Sequence, residues 1–97
     1  MAEVKTRSRR PKFLDRAIHH LAEGLASLGI DAQIDTEPIG GTKLHRVIVV
    51  SSDFEQMRHS ERQGVCWRII KRELSEDEEL RISMILTVTP DDLTEAA

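Results

Sequence analysis

Leu44-His45-Arg46-Val47-Ile48-Val49-Val50-Ser51-Ser52-Asp53-Phe54, Arg62-Gln63-Gly64-Val65-Cys66-Trp67-Arg68-Ile69-Ile70-Lys71-Arg72-Glu73-Leu74 and Ile82-Ser83-Met84-Ile85-Leu86-Thr87-Val88-Thr89-Pro90 follow one another in this chain. The first segment has an unbroken apolar centre, Val47 to Val50, which predicts a strand at least partly covered on both faces. In the second, Val65 and Ile69, and Cys66, Ile70 and Leu74, recur at helical spacing with Trp67 beside them as a core or core-edge anchor. Gly64 sits early in that helix and lowers its propensity by about 1 kcal/mol relative to Ala. The third segment alternates. Period two sets Leu80, Ile82, Met84, Leu86 and Val88 on one face and Arg81, Ser83, Ile85, Thr87 and Thr89 on the other. A strand, a helix and a strand in this order predict a right-handed parallel crossover.

The flanking residues complete the pattern. Pro11 suits a first helical turn. Leu14, Ile18, Leu21, Leu25 and Leu28 form one apolar helical stripe, and Gly29 is placed to close it. Ile30, Ala32 and Ile34 alternate with polar residues and predict a short strand. Glu37 to Lys43 reads as a loop from its Pro and Gly content. Ser52 to Ser60 is a polar connection, Ser75 to Glu79 a turn or a short helical turn capped by Ser75, and Pro90 to Glu95 the start of a terminal helix. The predicted fold is α+β, in the order α-β-β-α-β(-α). Its three-stranded mixed sheet pairs the first two strands antiparallel and carries both long helices on one face. Residues 1–10 read as a flexible basic tail and residues 11–95 as a single domain. The second sheet face is left partly open, with Ile85 and whichever of Val47 or Val49 shares its side forming an apolar strip suited to a dimer or a partner.

Composition narrows the function. The chain has 97 residues, 39% hydrophobic and 32% charged, in the range of an ordinary folded domain. Phe13, Phe54 and Trp67 are the only aromatics, which disfavours a base-stacking platform for single-stranded nucleic acid. Fourteen Lys and Arg against seventeen Asp and Glu give a net charge of −3. The charge is unevenly placed: Lys5, Arg7, Arg9, Arg10 and Lys12 lead the chain, and Arg58, Arg62, Arg68, Lys71 and Arg72 form a second basic group. Acids gather at Glu76 to Glu79 and near Asp91. A solvated tail and solvated helix faces account for such groups as well as a polyanionic partner does. No apolar run is long enough for a membrane span, no secretory signal pattern is present, and Cys66 is the single cysteine. The expectation is a cytoplasmic protein without a membrane partner.

With these elements in place the chain resembles the BolA family, over most of residues 11–93 in element order. The family's Val-Ser-x-x-Phe strand end matches Val50-Ser51-Ser52-Asp53-Phe54. Its Arg-His-Arg triplet, eight residues beyond that Phe, falls on Arg62-Gln63-Gly64, which keeps only the first residue. Its Thr-Pro-acidic step matches Thr89-Pro90-Asp91-Asp92. A Gly expected two residues after the Phe is Gln56, and the His near the start of the last strand is Arg81. The resemblance implies a fold similar to type II KH domains, an association with DNA, and partnership with monothiol glutaredoxins around a shared iron–sulfur cluster. The family's His at the Arg81 position is the one usually linked to that cluster. Arg has no lone pair to give a metal, so the implied ligand set is broken. His45 lies close to the loop where BolA-like proteins keep a His or Cys ligand and is the one metal-ligand candidate left.

Two readings follow for a small, non-enzymatic binding or regulatory module. In the first, Arg62, Arg68, Lys71 and Arg72 contact nucleic-acid phosphates, with Arg7, Arg9 and Arg10 adding reach. Such contacts give salt-sensitive and largely sequence-independent affinity. The KH-type Gly-x-x-Gly loop is missing, since Gly40-Gly41 has neither the motif nor the position. In the second, the chain is a protein-partner adaptor of the glutaredoxin kind, with a cluster shared through His45. A homodimer through the open sheet is the purely structural alternative. His19 and Glu23 are one helical turn apart, a spacing that an exposed pair explains without a metal. Cys66 falls on the buried stripe and reads as a small core residue. No Ser-His-acid or Cys-His arrangement and no phosphate-cradling Gly-rich loop stands out, so no catalytic residue is expected.

Overall fold

A computed structural model of the chain describes residues 10–96. Helix α1 (Lys12–Ala26) is followed by strands β1 (Gln33–Pro38) and β2 (His45–Val50), then a 3-10 turn (Ser52–Gln56). Helix α2 (His59–Glu73), the single turn α3 (Glu76–Glu79), strand β3 (Ile82–Val88) and helix α4 (Pro90–Ala96) complete the order. The sheet runs β1-β2-β3, with β1 antiparallel and β3 parallel to the central β2. The fold is therefore α+β with a mixed three-stranded sheet, as the sequence predicts.

Helix α1 buries Phe13, Leu14, Ala17, Leu21 and Leu25. Pro11 stands just outside its first turn, and the Pro11 carbonyl accepts from the Leu14 N–H at 3.0 Å. Gly29 adopts φ +81°, and the Ile30 N–H reaches back to the Leu25 carbonyl at 2.9 Å, closing the helix in Schellman fashion. That closure ends the regular turns at Ala26, so Leu28 leaves the predicted stripe and is 60% exposed. The first strand runs later than expected and takes in Glu37 and Pro38, which leaves a tighter link with Gly41 at φ +78°.

Helix α2 lays Cys66, Ile69 and Ile70 on the same core, joined by Leu74, Phe54, Val47, Val49, Ile82 and Ile85. The two long helices meet closely at Gly24, where a Cβ would lie 2.7 Å from Ile69 Cδ1. Ser75 caps α3 through a reciprocal pair: its hydroxyl accepts from the Glu78 N–H, and the Glu78 carboxylate accepts from the Ser75 N–H. Thr89 and Asp92 close the start of α4 in the same way.

Strand β3 departs from strict alternation, and the departure changes which residues face outward. His45 pairs with Ile82 but Arg46 pairs with Met84, leaving Ser83 as an extra residue in the ladder. This is a β-bulge. The Ser83 hydroxyl donates to the His45 carbonyl at 3.3 Å. Beyond the bulge the parity is reversed, so Ile82, Ile85, Thr87 and Thr89 are buried while Ser83 and Met84 are exposed. The apolar strip expected from Ile85 with Val47 or Val49 is thus corrected. All three are core residues on the helix-covered face. The uncovered face belongs to Ile48, Val50, Met84, Leu86 and Val88, set side by side by the β2–β3 register.

Candidate functional site

The strand end Val50-Ser51-Ser52-Asp53-Phe54 is used by the fold. The buried Ser51 hydroxyl donates to the Asp31 carbonyl at 2.7 Å and accepts from the Asp53 N–H at 3.1 Å. The Asp53 carboxylate in turn accepts from the Asp31 N–H at 2.9 Å. Phe54 is fully buried beneath the turn. These bonds lock the 3-10 turn to the chain entering β1.

Arg62 and Gln63 open the interior of α2 and lean over β3. In a parallel pair alternate residues of an edge strand turn their carbonyls away from the neighbour. The Ser51 N–H bonds the Val88 carbonyl, so the carbonyls of Ile85 and Thr87 point outward. Gln63 Nε2 donates to the Ile85 carbonyl at 2.7 Å and to Thr87 Oγ1 at 3.2 Å. Arg62 donates to the carbonyls of Met57 and Thr87 and lies 5.5 Å above the Phe54 ring centroid. Trp67 is half-buried at the edge of the core, and its indole N–H donates to Gln63 Oε1 at 3.2 Å. Two outward carbonyls of the β3 edge are thereby occupied by side chains of α2.

The other predicted phosphate contacts are spread out. Lys71 pairs with Glu79 at 2.8 Å and Arg72 with Glu73 at 3.0 Å. Arg10 spans Asp15 at 3.0 Å, Asp35 at 3.6 Å and the Thr36 hydroxyl at 3.3 Å. Arg68 is exposed and has no carboxylate within ion-pair distance among the described residues. Arg7 and Arg9, with the rest of the predicted tail before Arg10, lie outside the described residues. His19 and Glu23 form the exposed pair that their spacing suggests, at 3.1 Å.

His45 begins β2 at one end of the sheet. Its ring meets Phe13 edge-on at 6.2 Å, and the Arg81 guanidinium lies over the same Phe13 at 5.8 Å. Burial, and then the charge of Arg81, hold the imidazole below its ordinary value of 6.5. No group of three or more His, Cys, Asp or Glu side chains is placed to hold a metal ion among the described residues. A cation beside Arg81 is also disfavoured electrostatically. These residues do not fit an iron–sulfur cluster. Cys66 is buried in the core, and its thiol is pushed up to about 11 by that burial.

What remains is the sheet face away from the helices. Ile48, Val50, Leu86 and Val88 are half-buried and Met84 is 41% exposed. On the β1 side Gln33, Asp35 and Glu37 share this face, since they pair with Val50, Ile48 and Arg46. Arg46 donates to Glu37 at 2.9 Å. Sequence reasoning located an open face but chose the wrong strip, because the Ser83 bulge leaves no mark in a two-residue pattern. No known protein family matches the sequence, and no curated protein matches it.

Proposed function

We propose that this chain is a small, non-catalytic binding module of BolA-like type, whose contact surface is the uncovered face of its sheet and whose partner is a protein. The observation that carries this reading is the contiguous apolar set Ile48, Val50, Met84, Leu86 and Val88 on a face that neither long helix covers. Apolar surface gathered into one patch with a polar rim is characteristic of association surfaces. A monothiol glutaredoxin, the partner the resemblance implies, is one candidate and would have to supply any cluster ligands itself. The test is affinity capture from the native host with the wild-type chain and with Leu86→Asp, both checked for native circular dichroism. Proteins captured by the wild type should be missing from the variant. Identical capture by both ends the proposal.

Nucleic-acid binding is the second reading, favoured by the exposed Arg68, which has no carboxylate partner among the described residues. The Lys71–Glu79 and Arg72–Glu73 pairs are surface pairs worth about 0–1 kcal/mol, so phosphates can compete for both cations. Polarisation titration of duplex and single-stranded oligonucleotides should show affinity that falls steeply with salt and weakens in Arg68→Ala. Absence of binding at low salt removes this reading.

A further inference from the structure

The basic face of α2 is restrained by its own chain, an inference that rests on the nucleic-acid reading above. We propose that the acidic turn α3 is an intramolecular competitor of a duplex phosphate backbone. Glu79 holds Lys71 out of the phosphate-contacting set, so the chain binds a duplex more weakly than the cations of α2 would allow by themselves.

Arg68, Lys71 and Arg72 stand at i, i+3 and i+4 on α2, and all three are exposed. That spacing gathers them on one side of the helix. Their surroundings differ. Arg68 has no carboxylate within ion-pair distance among the described residues. Arg72 is held by Glu73, its neighbour in the same helix. Lys71 is held by a different element, through Glu79 Oε2 at 2.8 Å. Bases find no stacking platform beside these cations, because Trp67 is half-buried and its indole N–H is committed to Gln63. The backbone of a duplex is the polyanion that such a face suits.

Two features make Glu79 a placed group and not a passing counterion. The turn that carries it is fixed at its start by the Ser75–Glu78 capping box, and the Glu79 N–H bonds the Ser75 carbonyl at 2.9 Å. The Glu78 carboxylate also accepts from Arg16, which ties the turn to α1. In addition, the Glu79 side chain is 22% exposed and that of Lys71 64%, so the carboxylate is seated on the fold and the flexible cation reaches to it. The Lys71 ammonium has three donors, and geometry alone lets it meet a carboxylate and a phosphate together. Charge opposes this, since the two anions would lie within about 6 Å of each other and repel. A phosphate contact at Lys71 therefore displaces Glu79, whereas one at Arg68 displaces no carboxylate of the described residues.

The test is polarisation titration of a labelled duplex oligonucleotide with the full chain across a salt series, each variant being checked for native circular dichroism. Glu79→Gln should bind up to about fivefold tighter than the wild type, the range of an exposed ion pair. Its plot of log affinity against log salt should steepen by about 0.9, one added phosphate contact. Asp77→Asn removes the same charge from the same turn, where no cation lies within ion-pair distance among the described residues, and should leave the slope unchanged. In a Lys71→Gln background Glu79→Gln should have no effect. Equal gains from Glu79→Gln and Asp77→Asn, or a Glu79→Gln gain that persists without Lys71, make the effect one of net charge and overturn the competition. A wild type that binds as tightly as Glu79→Gln overturns it too, and in each of these cases the nucleic-acid reading stands. Binding seen only in Glu79→Gln supports both. No binding by either chain at low salt removes the reading and the inference together.

Discussion

Two glycines in helices have opposite roles. Gly64 has open space where a Cβ would project and no positive φ, so its absent side chain serves no contact. Gly64→Ala should stabilise the fold by about 0.5–1 kcal/mol through backbone entropy. At Gly24 the new methyl meets Ile69, which is 4% exposed and has little room to move. Overpacking of about 1–3 kcal/mol exceeds the propensity gain, and Gly24→Ala should destabilise. Urea unfolding of both variants checks the pair of signs. His45 offers a titration test. Its folded value is depressed, so the unfolded chain binds the proton more readily. The associated stability is full above the ordinary value of 6.5 and declines as pH falls through it. Arg81→Gln removes the second cause, and the His45 imidazole followed by NMR should titrate higher while burial still keeps it below the ordinary value. The sequence alone identifies Gly29 as a helix stop and Cys66 as a core residue, because both depend on local pattern. It cannot tell Gly24 from Gly64, because the difference is a neighbour forty-five positions away, Ile69 against Gly24.

Among the elements, the junction of α2 with β3 explains why the sequence's most conspicuous departure is structurally quiet. Gln63 stands where the resemblance expects His, and its amide supplies donors for Ile85 and Thr87 and an acceptor for Trp67. Gln63→Ala should cost about 1–3 kcal/mol by leaving these groups unpaired. It should also raise the tendency to self-associate, because the β3 edge opens. Thermal melts and light scattering at several protein concentrations read both effects. Helix and strand identities were legible because apolar spacing carries them. The role of Arg62 was not, since an Arg at a helix start reads the same whether it faces solvent or bridges two carbonyls.

For the whole molecule, the described residues form one core in which no buried side-chain nitrogen or oxygen lacks a hydrogen-bond partner. Cys66 sits inside that core with a thiol near 11, which makes it a reporter of opening. Reaction with a thiol reagent at pH 8 should be slow for the native chain and accelerate with denaturant in parallel with unfolding. Fast reaction under native conditions would show that the α2 side opens locally. No helix among the described residues is long and apolar enough to cross a membrane.

Ser83 gives the molecule an unusual relation between sequence change and surface change. The outward apolar set and the inward one differ by a single position of register beyond the bulge. Removing Ser83 would make Met84 follow Ile82 directly, and regular alternation would keep Ile82, Ile85 and Thr87 toward the helices and Met84, Leu86 and Val88 outward. The identity of the exposed face therefore survives loss of this one residue, which would straighten the ladder without exchanging its two sides. Among divergent descendants of such a domain, a residue can be lost here while the outward and inward sets keep their sides.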